Sequence, residues 1–197
     1  MLHGISMDDL YNLVFRNRSY RRFYQDQKID REILAGLVDL ARLSASGSNK
    51  QALKFVIINE PEKCDIVFPS TLWAGYIKDW DGPDRGEQPS AYIIILGDKD
   101  ISSSFGVDHG IAAQSIMLGA VEKGMGGCMI ASIRREKLRK DMAIPSRYEI
   151  LLILALGRPK EKVVIDEAIN GDIKYWRDKE YVHHVPKRPL DELIINL

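Results

Sequence analysis

The sequence predicts one domain built from both helices and strands. Three observations lead there. The chain has 197 residues, within the range of roughly 100–200 that a single core holds. Its residues are 45% hydrophobic and 28% charged, which excludes a chain too polar to collapse. Amphipathic helical patterns alternate with short apolar runs of strand length, and glycine or proline closes most of them.

The elements follow in order. Ser6-Met7-Asp8-Asp9 has the form of a capping box, with Ile5 and Leu10 placed as its hydrophobic staple. Leu10, Leu13 and Val14 give one apolar helical face, and this helix ends near Arg16. A second helix starts at Asp30, with Ile29 and Leu34 as staple, and runs to about Leu43 through Ile33, Leu37, Leu40 and Ala41. Ser44 to Asn49 is a loop of small polar residues. Phe55 to Ile58 is a strand, and Pro61 opens a short helix that Pro69 closes. From Ser70 to Ser90 the chain is irregular and carries Trp73, Tyr76 and Trp80, and a loop of that length is usually functional or mobile. Tyr92 to Leu96 is a buried strand. A long helix from about Phe105 to Lys123 is rich in glycine and alanine, so neighbouring backbones can approach it closely, and Gly124 stops it. Gly126 to Ala131 is a glycine-rich turn entering a strand. A helix over about 134–142 and a buried strand over 150–156 complete the pattern.

The tail from Arg158 holds eight Lys/Arg and eight Asp/Glu with few apolar runs. It has too little apolar content for its own core, so it is either solvated or wrapped on another subunit.

Charge and cysteine usage exclude several classes. Lys+Arg and Asp+Glu both number 28, giving zero net charge, so a global nucleic-acid binder is not expected. Cys64 and Cys128 are too few and too far apart for a disulfide framework, a zinc pattern or a redox pair. No leader pattern and no membrane-length apolar run is present, and a cytoplasmic soluble protein without membrane contact is expected.

Four constellations remain. Arg16, Arg18, Arg21 and Arg22 fall within seven residues, with Ser19 among them. Guanidinium forks and a hydroxyl suit phosphate oxygens, and a solvated basic face is the alternative. Ser44 to Gln51 can line a ligand cradle, as many loops can. Gly124-Met125-Gly126-Gly127-Cys128 lacks the spacing of a dinucleotide fingerprint or a P-loop, but suits tight packing against something flat or against backbone. His183-His184 lacks the spacing of a helical metal pair, so no metal is assigned. Cys128, beside Met129 and Ile130, reads as a buried structural cysteine, with a nucleophile as the alternative. No nucleophile elbow appears.

Order and spacing together resemble the nitroreductase family of FMN-dependent oxidoreductases. Asn17-Arg18-Ser19-Tyr20-Arg21-Arg22-Phe23 is similar to that family's R-R-S-x-R-x-[FY] stretch. Ser46, Asn49 and Gln51 fit its A-P-S-x-x-N-x-Q-P-W loop, without the proline–tryptophan pair. Asp108 to Ser115 resembles its D-x-G-x-A-x-Q-N helix start, Gly124 to Ile130 its G-L-G-x-C-x-I turn, Leu156 to Pro159 its L-G-x-P segment, and Lys187 to Glu192 its R-x-P-L-E-E end. Asn17, Ser115 and Ala131 depart from the family pattern, which often has arginine, asparagine and glycine there.

The resemblance implies an α+β fold over residues 1–197, with a mixed, mostly antiparallel central sheet flanked by helices. It implies a homodimer in which residues 158–197 extend to the partner. Two FMN molecules would lie at the interface. Arg18, Ser19, Arg188 and Lys187 would hold the phosphate, and Arg21 would sit at the pyrimidine edge of the ring. Ser46, Gly47 and Asn49 would line one side of the flavin, and Gly126, Gly127, Met129 and Ile130 the other. NADH or NADPH would deliver hydride and a nitroaromatic, quinone or similar acceptor would take the electrons in a ping-pong cycle. The flavin carries that chemistry, so no side chain is assigned as acid or base. The loop Trp73 to Pro89 is a candidate lid or acceptor wall, its aromatics equally suited to core or dimer contacts. A specialised dehydrogenase, a dehalogenase-like enzyme or a flavin sensor without turnover would share the same fold.

Overall fold

The computed structural model describes residues 7–196. The capping box at Ser6 and the staple at Ile5 lie outside the described residues.

The chain begins with helix α1 (Met7–Arg16) and helix α2 (Arg31–Leu43). Strand β1 (Leu53–Ile58) leads through helix α3 (Pro61–Val67) and the irregular loop to strand β2 (Ala91–Asp98). Helix α4 (Asp108–Glu122), strand β3 (Gly126–Ile130), helix α5 (Arg135–Asp141) and strand β4 (Tyr148–Gly157) follow. The four strands form one sheet in the order β1-β2-β4-β3, and all three pairings are antiparallel. A parallel bridge between Ser19 and Gly127 adds the arginine-rich segment to its edge. The central sheet is thus more uniformly antiparallel than expected, and the parallel contact is confined to that edge.

Strand alternation sorts the core into two layers. Ile93 and Ile95 of β2 and Leu152 and Leu154 of β4 face α2 and α4. Tyr92, Ile94 and Leu96 face the other way, against Val67, Trp73 and Leu138. Both faces of β2 are therefore covered, which is why it reads as an unbroken apolar run. A register shift between Ile95 and Leu96 places a bulge in the pairing with β4. Helix α4 packs on α2 at close range. A Cβ on Gly119 would overlap the Leu40 side chain, so the small residues of α4 serve this contact.

The tail carries a small sheet, although most of its residues remain exposed. Strands β5 (Val163–Glu167), β6 (Trp176–Arg177) and β7 (His183–Lys187) form a small sheet in the order β5-β7-β6. The β5–β7 pairing is parallel and the β6–β7 pairing antiparallel. Paired charges, rather than a core, hold this sheet. Arg177 Nη2 lies 3.1 Å from Glu161 Oε2, and His184 bridges Asp166 (2.7 Å) and Asp178 (3.3 Å) with Trp176 stacked on its ring. Those pairs are what an even mixture of charges with few apolar runs can supply. Beyond Lys187 the chain exposes Leu190, Leu193, Ile194 and Ile195.

No helix among the described residues is long and apolar enough to cross a membrane.

Candidate functional site

The segment after α1 runs beside β3, with Tyr20 N donating to the Gly127 carbonyl at 2.9 Å. The junction is tight. A Cβ on Gly127 would overlap the Ala155 carbonyl, and one on Gly126 would overlap the Tyr20 ring. Strand β7 arrives at the same place from the tail. Together these elements enclose a cavity of about 300 Å³.

Periodicity decides which side chains reach it. Gly127 and Met129 alternate on β3, His183, Val185 and Lys187 alternate on β7, and Gln114 and Met117 share one face of α4. Arg18, Ser19 and Arg21 complete the wall with Asn17 and Tyr175. Asn17 Nδ2 lies 3.4 Å from Gln114 Oε1, so this departure from the family pattern has a partner on α4.

The wall is cationic. Arg18, Arg21 and Lys187 line the cavity, and no carboxylate among the described residues does. Behind the wall lies Glu161, buried, accepting from the Arg21 backbone amide and from Arg177. Burial lowers the Arg18 guanidinium and the Arg177 guanidinium from the usual arginine range. Burial, reinforced by Arg21 and Arg177, pushes the His183 imidazole down to about 4. Two buried nitrogens of cavity-lining residues, Arg18 Nε and His183 Nδ1, have no hydrogen-bond partner among the described residues. Acceptors from outside the protein would satisfy them. A phosphate-bearing cofactor fits this wall: it brings negative charge and oxygen acceptors to a wall with three cationic side chains and no carboxylate among the described residues.

The structure divides the predicted site. Arg18, Ser19, Arg21, Gly127, Met129 and Lys187 come together at the cavity. Gly126 is packed beneath Tyr20 and Pro159, and Ile130 faces the core on the opposite side of β3. Cys128 lies on that side too, where burial pushes its thiol up. Arg188 is exposed and pairs with Glu192 at 3.1 Å.

Ser46, Gly47 and Asn49 lie elsewhere. Ser46 lines a separate cavity of about 140 Å³ with Asp108 and Ala112 of α4. Gly47 N donates to Asp108 Oδ1 at 3.0 Å. The loop backbone is unusual: Ser48, Asn49 and Gln51 all have φ near +52° (52°, 53° and 52°), a region non-glycine residues rarely occupy. On α4, Ala112 and Gln114 point about 200° apart at ~100° per residue. The two halves of the predicted site thus flank opposite sides of one helix.

Tyr175, His183, Arg177 and Glu161 were not legible as site residues. Their partners are distant in sequence, and the histidine pair has no spacing that assigns it a role. The alternation of His183, Val185 and Lys187 was the available signal. The aromatic loop packs against this group. Tyr76 and Tyr175 have ring centroids 4.9 Å apart, and the Arg177 guanidinium lies 4.1 Å over the Trp80 ring. Trp73 is buried in the core.

A family model described as "Nitroreductase family" matches residues 15–158. The chain belongs to the nitroreductase family. By membership it is an oxidoreductase. Among curated relatives it is similar to an FMN reductase (NADPH) from Bacillus subtilis, at 25% identity over 173 residues, covering 78% of this chain and 67% of that protein. Among solved structures it resembles an FMN-dependent nitroreductase from Clostridium difficile, with a TM-score of 0.64, 23% identity and coverage of 81% and 91% of the two chains. It also resembles a nitroreductase-like protein from Streptococcus mutans, with a TM-score of 0.72, 14% identity and coverage of 98% and 100%. At these identities the structural likeness speaks to the fold, which is the α+β nitroreductase-like one.

Proposed function

We propose that this nitroreductase-family protein binds FMN in the cationic cavity, accepts hydride from NADH or NADPH, and reduces nitroaromatic, quinone or similar acceptors. The observation that carries the reading is the cavity wall of Arg18, Arg21 and Lys187, with no carboxylate among the described residues that line it, in a chain of this family. The names of the Bacillus subtilis and Clostridium difficile relatives support FMN.

In this reading Arg18, Ser19 and Lys187 grip the phosphate, with Arg188 nearby in sequence. Gly127 and Met129 lie against the ring, and Gly126 and Ile130 hold β3 in place behind them. Arg21 faces the pyrimidine edge, where a fixed positive charge favours the reduced state. Bound FMN supplies hydride acceptance and donation in two half-reactions. The chain binds, orients and tunes it, and excludes water with Met117 and Val185.

The working unit in this reading is a homodimer, and Ser46, Gly47 and Asn49 come to each flavin from the second copy. Two observations favour it. The half-sites flank opposite sides of α4. Apolar side chains that need cover are exposed on α1 (Leu10, Tyr11, Val14 and Phe15) and on the tail beyond Lys187 (Leu190, Leu193, Ile194 and Ile195). The tail end would then reach the partner. The two cysteines are unpaired, in keeping with a reducing cytoplasm.

The test is an anaerobic absorbance titration with FMN, followed by NADH or NADPH and then an acceptor panel. Uptake of FMN, bleaching, and recolouring with an acceptor is the expected result. Failure to take up FMN overturns the cofactor. Uptake without bleaching by either nucleotide moves the protein to the class of flavin-binding proteins without turnover.

A further inference from the structure

The Arg21 guanidinium is buried, and its side-chain partners are neutral. Nη1 donates to the Ser19 carbonyl at 3.1 Å and lies 3.0 Å from His183 Nε2, and the guanidinium carbon lies 4.8 Å over the Tyr175 ring. A buried cation usually takes a carboxylate. One is close by, but Glu161 is committed to Arg177 and to the Arg21 backbone amide.

His183 occupies the place a counter-ion would take. Arginine has donors and no acceptor, so His183 Nε2 accepts and the ring proton sits on Nδ1. The groups around the ring hold it neutral: Arg21 from the segment after α1, Arg177 from β6 and its neighbour His184 all oppose a second proton, as burial does. The backbone of His183 is locked as well. It pairs with Val163 on one side and Arg177 on the other, in the middle of the small sheet, so the ring is presented from a rigid element.

We infer that His183 is a positioning residue that aims Arg21 into the cavity as a neutral acceptor, leaving the guanidinium charge uncompensated for the reduced cofactor. The inference rests on the FMN reading above. It explains why the tail sheet closes over this cavity: the tail supplies a polar group that orients a cation without cancelling it. A carboxylate at position 183 would hold Arg21 equally well but would neutralise it, and the preference of the site for reduced over oxidised flavin would fall.

Two measurements test this. The first compares H183Q, H183L and H183E in the FMN-loaded protein by spectroelectrochemistry. H183E is expected to weaken binding of reduced relative to oxidised FMN at least tenfold, a drop of about 30 mV for a two-electron couple. H183Q, which retains a neutral acceptor, is expected to keep the wild-type potential. H183L is expected to loosen Arg21 and weaken FMN binding about tenfold while lowering the potential less than H183E. Equal potentials in wild type, H183Q and H183E overturn the inference. The second uses nitrogen-15 NMR of histidine in the unloaded wild-type protein, which needs neither flavin nor a folded variant. A neutral His183 with its proton on Nδ1 at pH 6 is expected, and an imidazolium there overturns the inference. A protein that takes up no FMN overturns the cofactor reading and the electrostatic role with it, while the NMR result still decides whether His183 accepts from Arg21.

Discussion

Ser44 Oγ lies 2.7 Å from Ser115 Oγ, and this contact joins the end of α2 to the middle of α4. Each hydroxyl also reaches the carbonyl four residues back in its own helix, Leu40 O at 2.9 Å and Ile111 O at 3.2 Å. The pair anchors the start of the Ser46–Asn49 loop on one side of α4. The next residue along that helix toward its start, Gln114, turns to the cationic cavity. Ser115, a departure from the family pattern, therefore stands at the wall between the two half-sites.

A site shared between copies predicts complementation. R18A and N49A are each expected to bind FMN at least tenfold more weakly as homodimers. Subunit exchange between them creates mixed dimers with one intact site. Random pairing yields tight sites at about a quarter of the wild-type number, measured by fluorescence titration. No recovery would mean that each chain builds its site alone.

The cationic wall predicts salt-sensitive binding. Loss of a charged hydrogen-bond donor costs about 1.5–3 kcal/mol, so R18A and K187A should each raise the FMN dissociation constant about tenfold or more. Riboflavin, which lacks the phosphate, should bind both variants and wild type alike. Isothermal titration at two salt concentrations separates these outcomes.

Glu87 predicts acid sensitivity. It receives Arg22 (Nη2 at 2.8 Å) and Lys160 (2.9 Å), and the Arg22 contact foremost pulls its carboxyl down to about 2. The folded value lies below the unfolded one, so the stabilisation is present above about pH 4.3 and is lost as pH falls toward 2. After discounting for solvent screening, E87Q should cost about 1–2 kcal/mol at pH 7 and flatten the stability profile between those limits. Urea denaturation across pH 2–7 measures it.

Gly127 predicts a steric penalty at the site itself. An added Cβ meets the Ala155 backbone oxygen and the Leu156 side chain, and backbone cannot step aside without disturbing the β3–β4 pairing. G127A should lose about 2–3 kcal/mol of stability, seen in the urea midpoint, and should weaken FMN binding. Unchanged stability would show that the sheet edge is more adaptable than its packing implies.

Much of the fold was legible in the residues. The strand over Tyr92–Leu96, the helix after Asp30 and the glycine-rich entry to β3 follow from local apolar spacing, turn chemistry and caps, all short-range properties of the chain. The Arg18–Ser19–Arg21 cluster was visible too, because its members are adjacent. The register shift opposite Leu96 was not, since it arises from pairing with β4 rather than from β2 itself.

The sequence by itself determined most helices and strands up to Gly157 and the cationic segment, because each depends on neighbours within a few turns or strand residues, but it did not reveal the strands of the tail. Tertiary structure alone decided which of the candidate residues meet. It brought His183 to Arg21 across 162 positions, committed Glu161 to Arg177, and set Ser46 and Arg18 on opposite sides of α4. Those placements depend on long-range strand pairing in the tail and on close helix packing at Gly119, and no local pattern encodes the distance between residues that the chain brings together only when it folds.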